Sequence, residues 1–79
     1  MFYELATRFF KRYCDIPDEL LMIDGSITTI GIKECVCLLL EEDVFDSKEE
    51  LRKIAFRECG FILPEWAFDR WQMRQGVKQ

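Results

Sequence analysis

Histidine is absent from this chain of 79 residues, serine occurs only at positions 26 and 47, and there are just four glycines and two prolines. Each scarcity excludes something. Without histidine, the commonest acid–base catalyst and the commonest metal ligand are both missing. The four glycines stand singly at 25, 31, 60 and 76, so there is no glycine-rich phosphate loop. No C-x-x-C pair exists among Cys14, Cys35, Cys37 and Cys59. Cys35 and Cys37 fall in a helical segment, where i and i+2 point to nearly opposite sides. Reduced cysteines packed in a core are therefore expected, with no metal and no cofactor. The longest apolar run, Cys35 to Leu40, is far below the roughly 20 residues of a membrane span. The N-terminal stretch MFYELATRFFKRYC scatters Glu4, Arg8, Lys11 and Arg12 through its apolar residues and has no small-residue cleavage site, unlike a secretory signal. Its apolar positions cover most of a helix circumference, as expected of a helix gripped by a fold rather than one lying on a membrane. The expectation is a cytoplasmic protein with no membrane partner.

What is present suits one small domain spanning 1–79. About half the chain is hydrophobic (49%) and a third charged (33%), the balance of a folded protein rather than a disordered tail. Seven Phe, two Tyr and two Trp can supply much of the buried area that a core of this size needs. Such a domain is marginal, so a second copy or another partner is expected to help complete it.

Residues 2–14 read as a helix, with Glu4 and Arg8 in the favourable i, i+4 order, and Pro17 breaks it. Asp24-Gly25 signals a turn, and the β-branched stretch Ile27 to Ile32 reads as a strand, predicting a hairpin of 20–23 with 27–32. The alternative is a short helix over 17–23 closed by Gly25. A second helix follows Gly31, with Ile32, Cys35, Val36 and Leu39 at helical spacing and Leu38 and Leu40 widening the apolar face, which marks it as central or dimer-forming. Ser47-Lys48-Glu49-Glu50 matches a capping box that opens a third helix, whose buried face is Leu51, Ile54, Ala55 and Cys59 and whose terminator is Gly60. A fourth begins near Pro64, carries Trp66, Ala67, Phe68, Trp71 and Met73, and stops at Gly76. The predicted fold is a mostly helical α+β domain: helix, β-hairpin, then three short helices.

The net charge of −4 is concentrated in EEDVFDSKEE, residues 41–50, where Glu41, Glu42, Asp43, Asp46, Glu49 and Glu50 face only Lys48. Asp46, Glu49 and Glu50 sit where the dipole of the third helix favours negative charge. Glu41, Glu42 and Asp43 close the second helix, where it does not, unless a tight helical hairpin brings them beside the start of the third. The basic residues Arg70, Arg74 and Lys78 recur at i, i+4, i+8 near the C-terminus, where the helix dipole favours them.

Two stretches resemble DNA-binding families. Residues 27–59, ITTIGIKECVCLLLEEDVFDSKEELRKIAFREC, resemble a ribbon-helix-helix unit, which implies a dimer whose strands enter the major groove. The chain departs from that pattern in having no Arg or Lys on the strand and Gly31 where a basic residue is common. Residues 51–76, LRKIAFRECGF followed by PEW and closed by Gly76, resemble the last helix-turn-helix of arabinose-type activators. A sequence pI near 4.8 opposes both, because phosphate contact needs clustered positive charge.

The leading expectation is a small acidic module, not an enzyme, that binds stoichiometrically as an inhibitor or adaptor. Its site would be Glu41, Glu42, Asp43, Asp46, Glu49 and Glu50, docked on a basic protein surface. In its most specific form it is a phage-type inhibitor of a nucleic-acid-handling protein. The alternative is a dimeric transcriptional regulator with Thr28, Thr29, Arg70 and Arg74 near DNA. A third expectation is a structural subunit that joins an assembly through Trp66 and Trp71.

Overall fold

The computed structural model describes residues 1–77, with the side chain of Val77 outside the description. Four α-helices, α1 (Phe2–Lys11), α2 (Thr29–Glu41), α3 (Lys48–Cys59) and α4 (Asp69–Val77), are joined by loops that contain two 3₁₀ turns, Asp18–Leu20 and Glu65–Phe68.

In α1 the buried face is Ala6, Phe9 and Phe10, and the tail is closed by the amides of Tyr13 and Cys14, which donate to the Phe10 carbonyl at 3.1 and 2.9 Å. Pro17 is extended (φ −66°, ψ 152°), as expected of a helix breaker, and opens the first 3₁₀ turn. Thr7 ties the following loop to α1: its hydroxyl donates to the Tyr3 carbonyl at 2.6 Å and accepts the Ile27 amide at 2.7 Å.

The predicted hairpin does not form, and the domain is all-helical among the described residues rather than α+β. A single antiparallel bridge joins Leu21 and Ile27. Between them the chain reverses at Gly25 (φ 87°), with the Ser26 amide donating to the Asp24 carboxylate at 3.0 Å. The turn at Asp24-Gly25 is therefore real, but its flanks pair at one point only. The reason lies in Thr28. Its hydroxyl donates to the Leu20 carbonyl at 2.9 Å and accepts the Gly31 amide at 3.0 Å, making Thr28 the N-cap of α2. The β-branched stretch read as a strand is thus split between a loop and the first turn of a helix, and capping outweighs local β propensity. A ribbon-helix-helix unit loses its ribbon by the same change. Gly31 lies inside the helix: a Cβ at that position would meet Ile27 Cγ1 at 2.7 Å and the Leu20 carbonyl oxygen at 3.0 Å, so only glycine lets α2 start this close to the loop. The alternative helix over 17–23 survives only as the turn Asp18–Leu20.

The central element is α2. It buries Gly31, Ile32, Cys35, Val36, Cys37, Leu39 and Leu40, because α1 packs on it from one side and α4 with the Glu65–Phe68 turn from another. Beyond Glu42 the chain turns through Asp43, a non-glycine residue in the left-handed region (φ 58°), and the amides of Val44 and Phe45 return to the Leu39 carbonyl at 3.0 and 3.3 Å. Phe45 is buried against Phe9 and Tyr13, with ring centroids 6.2 and 5.1 Å away.

The third helix follows its sequence signals in part: Leu51, Ile54 and Ala55 are buried as expected, Cys59 is only half-buried, and of the capping box the serine half forms. Ser47 Oγ accepts the Glu50 amide at 3.1 Å, and Gly60 (φ 73°) closes the helix with its amide on the Phe56 carbonyl. Its main neighbour is α1, whose Phe2 and Phe9 rings meet Phe61 at 5.7 and 5.9 Å. The fourth helix starts later than predicted. Pro64 is extended (ψ 165°) and precedes a 3₁₀ turn that buries Ala67 and Phe68, and regular α-helix begins at Asp69 and continues through Gly76 instead of stopping there. No helix of the described residues is long and apolar enough to cross a membrane.

Candidate partner-binding site

Residues 41–50 form the loop between α2 and α3 together with the helix ends that it joins. Glu42, Asp43, Asp46 and Glu49 are exposed, and Glu50 is half-buried. None of these acids makes an ion pair among the described residues. Val44 lies among them, about half exposed (48%), while the adjacent Phe45 holds the loop down. Asp46, Glu49 and Glu50 surround the start of α3, where free amides and the dipole favour them.

Glu41 differs. Arg74 Nη1 donates to both of its carboxylate oxygens, at 3.0 and 3.1 Å, and this hydrogen bond with its charge attraction pushes the guanidinium further up. The acid at the unfavourable end of α2 is thus neutralised by α4, not by the start of α3. One α4 turn earlier, Arg70 pairs with Glu34 of α2. Lys48, the one base of the segment, turns away from it: its Nζ reaches Glu65 at 2.7 Å and lies 5.2 Å from the Phe68 ring centroid. Arg52 joins Glu65 at 2.8 Å.

Of the residues proposed to face nucleic acid, Arg70 and Arg74 are therefore engaged with α2 carboxylates, and Lys78 lies outside the described residues. Thr28 is the cap of α2, and the Thr29 hydroxyl is hydrogen-bonded to Tyr3 at 3.0 Å. Trp66 and Trp71 pack partly buried on the core, Trp66 with its ring edge-on to Phe2 at 6.2 Å. The seam between α2 and α4 escaped the sequence reading. Its signal was the spacing of Glu34 and Glu41, seven apart, against Arg70 and Arg74, four apart, which sets opposite charges on two helix faces.

A shallow open depression of about 630 Å³ lies elsewhere, lined by Leu21, Met22, Ile23, Asp24 and Thr28. Its polar side chains are already committed, Asp24 to the Ser26 amide and Thr28 to Leu20 and Gly31. Backbone hydrogen bonding from Ser26 holds the Asp24 carboxyl below its ordinary range. No group of three or more His, Cys, Asp or Glu among the described residues is placed to hold a metal ion. Comparison of the chain with protein-family models, with curated proteins and with solved structures finds no match.

Proposed function

We propose that this domain is a stoichiometric protein-binding module whose α2–α3 corner docks on a basic partner surface. The observation that carries the reading is the contrast in neutralisation. Glu42, Asp43, Asp46, Glu49 and Glu50 have no cationic partner among the described residues, while Arg70, Arg74, Lys48 and Arg52 are drawn to carboxylates elsewhere. An uncompensated acidic face raises the association rate with a basic partner, and the half-exposed Val44 gives such a partner an apolar contact at its centre. Proteins that handle nucleic acids present surfaces of this kind, because binding phosphate requires dense positive charge. Occupying such a groove would inhibit its owner.

The test compares the wild-type chain with a Glu42→Lys, Asp46→Lys, Glu49→Lys variant as baits in lysate of the source cell, with and without nuclease treatment. A protein held by the wild type, released by salt and not held by the variant supports the reading. Equal capture by both baits, or capture of nuclease-sensitive material only, overturns it.

A further inference from the structure

Just before α2, at the end away from the acidic corner, residues 20–28 fold into a firmly bonded turn. The Gly25 amide donates to the Met22 carbonyl at 2.8 Å, the Met22 amide to the Ser26 carbonyl at 2.7 Å, and the Thr28 amide to the Leu20 carbonyl at 2.9 Å. The tip of this turn is Ile23, which stands wholly exposed, with Met22 exposed beside it. Turn tips ordinarily carry Gly, Pro, Asn, Asp or Ser. An isoleucine there buries nothing and adds nothing to the fold. Leu21, Met22 and Ile23, with Asp24 and Thr28, line the shallow open depression. The loop that leads into the tip carries Asp15, Asp18, Glu19 and Asp24, all exposed and none in an ion pair among the described residues. Residues 13–32 contain no Lys or Arg.

We propose that this turn is a second docking site, occupied by a basic amphipathic helix of a partner protein. The polar lining of the depression is spent within the fold, Asp24 on the Ser26 amide and Thr28 on Leu20 and Gly31, so what covers its floor must be apolar. The charges left over beside it are all negative, so the rim of the occupant must be cationic. A small molecule is poorly served, because a site for one encloses most of its surface and this depression is shallow and open. An added strand is poorly served too. It would need main-chain donors at an open edge, and the amides of Leu21, Met22 and Thr28 are already bonded inside the loop. A helix needs no main-chain partner: its apolar face covers Leu21, Met22 and Ile23 while its Lys and Arg side chains reach Asp18, Glu19 and Asp24. Met22 suits such a contact, since its unbranched thioether adapts to the shape laid on it. The thirteen residues of α2, about 20 Å long, separate this turn from the α2–α3 corner, so the two sites are independent.

The experiment titrates the isotope-labelled full chain with a helical peptide of Lys and Leu whose leucines line one face, and follows the backbone amides by NMR. Saturable shifts are expected at residues 18–28. A Glu–Leu peptide of the same apolar pattern should produce none, and added salt should weaken the Lys–Leu complex. Met22→Ser with Ile23→Ser should raise the dissociation constant at least about ten-fold, the loss expected when apolar contact area disappears. Both side chains are exposed, and the amide spectrum of the variant verifies its fold directly. Phe56→Ser, which removes an exposed apolar side chain from α3, should bind as the wild type does. Shifts confined to 41–50 would overturn the proposal and leave the corner reading standing. Equal binding of the two peptides, or an equal loss from Phe56→Ser, would reduce the contact to unspecific stickiness and overturn it as well. Shifts at 18–28 that grow with the concentration of the chain alone would assign the face to a second copy instead.

Discussion

Glu41 and Glu42 are neighbours in the chain and opposites in the fold. On the α2–α4 seam, Glu34 and Glu41 each meet an arginine, and the charges hold two helices side by side. One residue further on, the corner leaves its acids unpaired among the described residues, with Glu42, Asp43, Asp46 and Glu49 exposed. Local composition does not separate the two regions, since both are rich in glutamate. What separates them is the route of the chain: Arg70 and Arg74 of α4 reach Glu34 and Glu41 of α2, whereas Glu42 begins the loop that leads away from that pairing. An acid on the seam is a structural part, whereas an acid on the corner is available to something else.

The largest break in that comparison comes from the loop's anchor. Phe45, 8% exposed, fixes the corner to α1 through Phe9 and Tyr13. Phe45→Ala should destabilise the domain by about 3–5 kcal/mol, because a buried ring is replaced by a cavity. Thermal melts followed by circular dichroism measure the loss. Hydrogen exchange on the folded fraction should show the amides of 42–47 losing protection before those at the centre of α2, and uniform loss across both would mean that corner and seam are one cooperative unit.

Ser47→Ala is the next largest perturbation. It removes the acceptor of the Glu50 amide and should lower stability by about 1 kcal/mol, shifting the melting temperature down by roughly 4–8 °C. Fraying of the first turn of α3 would also unsettle Glu49 and Glu50, two of the five unpaired acids of the proposed docking surface. If the corner is the docking surface, partner affinity should fall with this variant although no charge has changed.

How far these regions could be read beforehand depended on how local their causes are. The Ser47 cap and the left-handed Gly60 are contained within a few residues, and the sequence shows them directly. The acids of 41–50 were equally visible. The strand predicted over 27–32 failed because its β-branched residues answer to distant partners: Thr28 caps α2 while bonded to Leu20, and Gly31 is required by the approach of Ile27 and Leu20. The pairing of Arg74 with Glu41 spans 33 positions, so the C-terminal basic stripe read as a free face until α4 was laid against α2.

Neutralising side chains sharpens the comparison at smaller cost. Glu34→Gln should lower stability by about 0.5 kcal/mol, the modest worth of a pair exposed to solvent on both sides. Glu42→Gln with Asp43→Asn should leave the melting temperature unchanged or raise it slightly, because those acids follow the C-terminal end of α2, where the dipole disfavours negative charge, and they give up repulsion and no pair. Measured side by side in denaturant titrations, opposite signs sustain the distinction between seam and corner. A loss of stability from the corner variant would show its acids to be structural after all.

The smallest effect tests why the corner is left without a base. Lys48 is drawn to Glu65, and its hydrogen bond, reinforced by the charges of Lys48 and Arg52, holds the Glu65 carboxyl below its ordinary value of 4.5. A carboxyl whose pKa is depressed in the folded state contributes stability above its unfolded value, and that contribution disappears as pH falls through the folded value. Glu65 should therefore titrate below 4.5 in a carboxyl-detected NMR series, and Lys48→Ala should move its midpoint back upward by removing the leading cause of the shift. Protonation of Glu65 also releases Lys48, whose ammonium can then turn toward Glu49 and Asp46 and partly neutralise the corner. Binding of a basic partner should weaken over the same pH interval, and Glu65→Gln should show that weakening already at neutral pH. If Glu65→Gln binds as the wild type does, Lys48 is held away from the corner by its packing over Phe68, and the ion pair with Glu65 only accompanies that placement.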